Sequence, residues 1–179
     1  MQYQSFMKKS DINQPPTFFD TYIKLVEDIE LTDALKKSIT ELDNLDFDAL
    51  DKLADFAYAE GKWTVKDIFQ HLIDTERVMT YRALSFGRND IKPLPGFDEN
   101  IYAKHVSTKK RSLKSLIAEY KLVHKSTIAL FKTFDKKALK RFGIMFNSEM
   151  SVLAIGFMLV GHQKHHLNVI KERYMNQNK

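Results

Sequence analysis

Apolar residues recur at helical spacing along four long stretches of the chain, and no segment alternates as a half-buried strand does. The spacing predicts a first long helix over about 31–45, with Leu35, Ile39, Leu42 and Leu45 along one face beside Ser38. A short helix around 18–30 is expected before it. The second long helix is expected from Thr64 to Phe86, along the stripe Val65, Ile68, Leu72, Met79, Ala83 and Phe86. Thr64 can cap its start, Asp67 completes a capping-box pair, and Trp63 and Ile68 are placed to staple across the cap. Gly87 is expected to end it in the left-handed conformation. A third helix is expected over about 113–134, on Leu113, Ile117, Tyr120, Ile128 and Phe131, and a fourth over about 150–174, on Val152, Ile155, Leu159, Val169 and Ile170. Four amphipathic helices in 179 residues predict an all-α fold, a four-helix bundle in a single domain over 1–179, with 1–17 as an extended N-terminal arm.

The segment between the second and third helices, "GRNDIKPLPGFDENIYAKHVSTKKRS", is too long for an ordinary connection. Its aromatic residues, Phe97 and Tyr102, point to a packed crossover covering one end of the bundle. No repeat or domain boundary interrupts the chain.

Composition narrows the function. The chain has no cysteine, which excludes disulfides, thiolate metal sites and a cysteine nucleophile of its own, and fits a reducing compartment. The N-terminus lacks the apolar core of a signal peptide. The longest apolar run, Val152 to Val160, is too short to cross a bilayer. These features predict a soluble cytoplasmic protein with no membrane partner. Net charge is +5, but the lysines are scattered and not interleaved with aromatic residues as a single-strand binder requires. A solvated surface is expected, and nucleic-acid binding is not.

The chemistry concentrates in "GHQKHHLNVIKERY", where three of the six histidines fall within five residues directly after the apolar run. With Ile155 at zero on a helical wheel, Leu159 lies at about +40°, His162 at about −20° and His166 at about +20°. Two histidines at i, i+4 therefore sit inside a buried stripe, with His165 at its edge. On the second helix His71 lies at about −60° from Ile68, at the margin of its buried face. Buried neutral imidazoles need hydrogen-bond partners or a metal. Two on one helix facing a third on another suit a divalent cation, with a coordination position left open as in catalytic zinc sites. A pair of core histidines with ordinary partners is the alternative.

"GKWTVKDIFQHLIDTERVMTYRALSF", "LPGFDENIY" and "GHQKHHLNVIKERY" together resemble the DinB/YfiT-like superfamily, in order, from about Leu31 to Tyr174. The resemblance implies a four-helix bundle with a three-histidine metal site, often assembled as a homodimer. It places the family's metal ligands at His71, His162 and His166, the residues the wheels select. Members bind zinc, nickel or similar divalent ions. Some branches transfer groups to small thiols or use a thiol in isomerisation, and others are named as metal-dependent hydrolases. The expectation is a metal-dependent transferase or hydrolase of a small molecule, with a low-molecular-weight thiol as a candidate cosubstrate. The alternative is a non-catalytic metal-binding or dimeric interaction bundle.

Around the ligands, Asp74 and Glu76 are the candidate catalytic carboxylates, and Arg82, Asp98, Tyr102 and His124 the candidate substrate-binding set. Asp74 is placed either to accept the free N–H of a ligand imidazole or to be solvated. Glu76 is either a base or orienter, or the partner of a lysine. Arg82, within the buried stripe, either grips an anionic substrate or pairs with a carboxylate such as Asp98. Tyr102 and Asp98 either line the pocket or pack the crossover. His124 lies in the apolar stripe of the third helix, where the family often carries arginine. It is open to three readings: a fourth ligand, a partner of a ligand, or a packed core histidine.

Overall fold

In a computed structural model, residues 7–145 and 148–176 are described. In chain order the helices and strands are α1 (Asp20–Ile23), α2 (Leu31–Asp43), α3 (Phe47–Lys52), α4 (Val65–Gly87), α5 (Glu99–His105), α6 (Leu113–Phe131), α7 (Lys136–Leu139), β1 (Phe142–Met145), β2 (Ser148–Ser151) and α8 (Val152–Ile170), which continues into a π-helical turn, Lys171–Met175. The four long helices α2, α4, α6 and α8 form the expected bundle. α4 packs against α6 and α8, and α2 against both as well.

The caps explain where the helices begin. Thr64 accepts from the Asp67 amide while the Asp67 carboxylate accepts from the Thr64 amide at 3.0 Å, the reciprocal box that the sequence predicts. Ser112 and Ser151 cap α6 and α8 in the same sense, each accepting an amide at 3.1 Å.

Several boundaries differ from the expectation. Gly87 is helical, and the left-handed residue is Asn89. Gly87 serves packing instead, because a Cβ there would lie 2.4 Å from the Phe134 ring. The fold is not purely helical, since β1 and β2 form a small antiparallel hairpin and Met150, expected on the fourth helix, lies in β2. Four-residue strands are too short for a period of two to stand out. The helix expected over 18–30 shrinks to α1. The beginning of the predicted N-terminal arm, residues 1–6, lies outside the described residues; from Met7 onward the chain is docked, with Met7 buried and Lys8 bridged to Glu30.

The core consists of two apolar clusters. One gathers Leu31 and Leu35 of α2, Met79 and Phe86 of α4, Phe131 of α6 and Val152 to Val160 of α8. The other gathers Leu42 of α2, Val65 to Ile73 of α4, Leu113 to Tyr120 of α6 and Ile170 after the histidines. The first cluster thus holds the starts of α2 and α8 but the ends of α4 and α6. α4 and α6 are therefore parallel neighbours, and a chain leaving one must travel back along the bundle to begin the other. This is why the crossover is long. It runs beside α4 rather than over one end of the bundle. Leu94 donates to the Ile144 carbonyl at 2.9 Å, and α5 then lies alongside the first half of α4.

Between the clusters each long helix contributes a polar residue: Ser38, Glu76, His124 and Gln163, all buried. His124 Nδ1 lies 2.8 and 3.0 Å from the two Glu76 oxygens, and its Nε2 lies 3.0 Å from the Leu35 carbonyl. Nε2 also lies 2.7 Å from the Ser38 hydroxyl, which donates to the Leu35 carbonyl at 2.8 Å; the groups around both ring nitrogens then accept, and the imidazolium, with both nitrogens protonated, satisfies the site. Burial lowers the His124 pKa, but the Glu76 carboxylate and the Leu35 carbonyl together outweigh it and the net direction is up. Tyr120 completes the set with a hydrogen bond to Glu76, and Gln163 Nε2 donates to the Ser38 carbonyl at 2.9 Å.

His124→Leu strands the Glu76 charge and is expected to cost about 3–5 kcal/mol, whereas Glu76→Leu with His124→Leu recovers part of it, as urea denaturation would read. Because folding raises the His124 pKa, its contribution is full below about pH 6.5 and lost as pH rises through the raised value. The wild type should therefore lose stability above pH 6.5 more steeply than His124→Leu does.

Candidate metal centre

His71 sits in the first half of α4, and His162 and His166 one turn apart on α8. α4 and α8 pack side by side, so the three rings meet in the groove between them. His71 Nε2 lies 3.0 Å from His162 Nε2, and His166 Nε2 lies 3.1 Å from the same atom. One ligand atom from each of the three lies within 4.8 Å of the others.

The donor set fits a divalent cation. An aromatic nitrogen has one lone pair, so His162 Nε2 can serve one neighbour well as a hydrogen-bond acceptor and leaves the other facing nitrogen. A cation takes all three lone pairs at once. Ligand nitrogens about 2.0–2.1 Å from a tetrahedral zinc lie roughly 3.3 Å apart, close to the spacing seen here. Burial holds the rings neutral, as ligation requires: His71 is lowered to about 4 and His166 to about 3, and His162 falls well below its ordinary value. Burial is the largest cause at each, followed by neighbouring imidazoles.

Aromatic rings wall the group. The Trp63 ring lies 4.7 Å from the His71 ring and stacks at 6.5 Å on His166. The Tyr22 ring of α1 meets His162 edge-on at 5.2 Å and His165 at 5.3 Å. α1 reaches this position because residue 161 is glycine; a Cβ there would sit 2.0 Å from the Tyr22 carbonyl oxygen. His165, at the edge of the stripe as expected, flanks the group without joining it.

The remaining predicted residues separate into two sets. Asp74 and Tyr102 line a cleft beside His71, together with Asp67, Gln70 and Glu99, so α5 of the crossover borders the centre. Asp74 accepts from Gln70 Nε2 at 3.0 Å, and its carboxyl is raised by burial. The oxygen beside His71 Nδ1 belongs instead to Thr75, at 3.4 Å, a residue the sequence reading did not select. Glu76, His124, Arg82 and Asp98 lie elsewhere. Glu76 and His124 pair with each other in the polar layer. The Arg82 guanidinium is buried, donates to the Pro95 carbonyl at 2.7 Å, touches the sulfurs of Met79 and Met145, and lies over the Phe97 ring. It pins the crossover to α4, and of the two readings of Arg82 the pairing with Asp98 is not formed: Asp98 instead accepts the amides of Asn100 and Ile101 at the start of α5.

Gly161→Ala is expected to push α1 away from α8 and cost about 1–3 kcal/mol. Thermal melting would read the loss, and faster proteolysis around Tyr22 would place it.

A model of the DinB superfamily matches residues 30–170. A protein of Oceanobacillus iheyensis, provisionally named a metal-dependent hydrolase, is 26% identical over 116 residues, which cover 64% of this chain and 66% of that protein. The chain thus spans just under two thirds of that relative's length. Among solved structures, YfiT from Bacillus subtilis superposes with a TM-score of 0.64 at 20% identity, covering 86% of this chain and 84% of its own. Its four-helix bundle topology is described as unusual, and its metal-dependent hydrolase assignment has the same provisional standing.

Proposed function

The chain belongs to the DinB superfamily, and on that premise we propose that it is a metal-dependent hydrolase of a small molecule, with His71, His162 and His166 holding a divalent cation. The observation that carries this reading is the convergence of three neutral Nε2 atoms within bonding range of one ion. Zinc and nickel both suit an all-imidazole set. When bound, such an ion polarises a carbonyl or brings the pKa of a coordinated water toward neutrality. Three protein ligands leave room for a guest, which fits a reaction centre better than a closed structural site.

The protein's own groups supply the rest. α4 and α8 hold the rings on rigid helices. Thr75 and the Trp63 ring limit the rotation of His71. Asp74, in the cleft beside His71 and raised by burial, is the carboxyl best placed to accept or return a proton at a guest bound there. Tyr102 and Glu99 border the same cleft from the crossover. Glu76 has no part in this chemistry, because His124 and Tyr120 engage its carboxylate.

Transfer of a group to a low-molecular-weight thiol is the second reading. The chain has no cysteine, so the thiol would come from a cosubstrate. Protein purified without an affinity tag should carry about one divalent ion per chain by elemental analysis. His162→Ala and His166→Ala should each lose the ion and any turnover. A panel of esters and amides, and of thiols with electrophiles, would separate hydrolysis from thiol transfer. Retention of the ion or of full turnover by either variant would overturn the assignment, and bound ion without turnover across the panel would favour a non-catalytic metal protein.

A further inference from the structure

The helix that carries two of the three imidazoles also reaches past them. After Ile170, α8 widens into the π-helical turn Lys171–Met175, a rare conformation that often marks a functional position. Tyr174, within that turn, is buried, and its hydroxyl donates to the Trp63 carbonyl at 2.6 Å. Its ring is fixed edge-on by Tyr58 at 5.1 Å and Phe56 at 6.2 Å. Trp63 directly precedes Thr64, the cap of α4, so its carbonyl is held at the start of the helix that carries His71. Its ring rests on His71 and His166, one imidazole from each side of the groove.

We propose that Tyr174 and Trp63 form a clamp that positions the metal centre: Tyr174 fixes the segment before α4, and Trp63 holds the His71 and His166 rings in the orientation that directs both Nε2 atoms at one point. This rests on the metal reading above. The argument is geometric. Apart from the facing His162, the hydrogen-bond partner of the His71 ring among the described residues is the Thr75 hydroxyl alone, a weak one at 3.4 Å from Nδ1. A ring that chooses among rotamers pays for order each time it binds an ion. An aromatic plane against two of three ligands removes that freedom beforehand, and the hydroxyl of Tyr174 keeps the plane in place. Both are positioning residues, acting through the histidines.

Trp63 is the chain's single tryptophan, so the same residue reports on the centre. Metal-free full-length protein would be titrated with cobalt(II), following tryptophan fluorescence and the visible cobalt absorption. The wild type should show quenching together with a cobalt band. Tyr174→Phe, which removes only the hydroxyl, should bind cobalt at least about fivefold more weakly with a shifted band. Trp63→Ala should weaken binding about tenfold or more, and Trp63→Phe, which keeps a flat ring, should restore most of it. Circular dichroism and melting of the metal-free variants show that each is folded. If Tyr174→Phe and Trp63→Ala bind with wild-type affinity and spectrum, even at a lower melting temperature, the clamp is structural only and the proposal is overturned. If the wild type itself takes up no cobalt, the metal reading falls and the clamp with it.

Discussion

The buried ion pair of Glu76 and His124 is the constraint around which the bundle is arranged. Apolar side chains tolerate sliding of one helix along another, but a carboxylate and an imidazolium removed from water do not. The pair is met only when α4 and α6 stand at one axial offset, and the Leu35 carbonyl and Ser38 hydroxyl at His124 Nε2 bring α2 to the same level. Gln163 then ties α8 to the Ser38 carbonyl. All four long helices are thus set in register by a single polar layer. His162 precedes Gln163 in the chain, so the layer that aligns α8 also sets the height at which its imidazoles face His71.

The parallel placement of α4 and α6 follows from the same packing and has a functional result. It forces a long connection, and that connection brings α5 against the half of α4 that bears His71. A bundle of alternating helices with short turns would leave that groove bare. Here Tyr102 and Glu99 border it, and Arg82 holds the strap to the helix through the Pro95 carbonyl.

Much of this was legible in the sequence, for physical reasons. Long helices bury a continuous stripe, so period and capping located α2, α4, α6 and α8, and the wheels placed His162 and His124 indoors. The resemblance singled out the three imidazoles that the folded chain brings together. What periodicity left hidden was pairing across helices. Glu76 sits at the flank of its stripe, where a carboxylate reads as a base or as the partner of a lysine, and only a facing His124 makes its burial tolerable. Asp98 and Arg82 looked like partners by charge alone, but a backbone carbonyl and two sulfurs take the guanidinium, and helix capping takes the carboxylate. Short strands and the π-helical turn were invisible because neither imposes a period long enough to detect.

The strap between α4 and α6 also bears on how the chain reaches this state. α2 packs chiefly on α6 and α8 rather than on α4, and α4 and α6 cannot zip together from a tight turn. Their docking must wait for a loop nearly the length of the bundle to close, an entropic cost met before any contact repays it. Glu76 and His124 lie 48 residues apart, nearer in the chain than the 89 between His124 and Leu35 or the 125 between Gln163 and Ser38, so once that loop closes the contact across the seam is the first of the layer that a nascent chain can make.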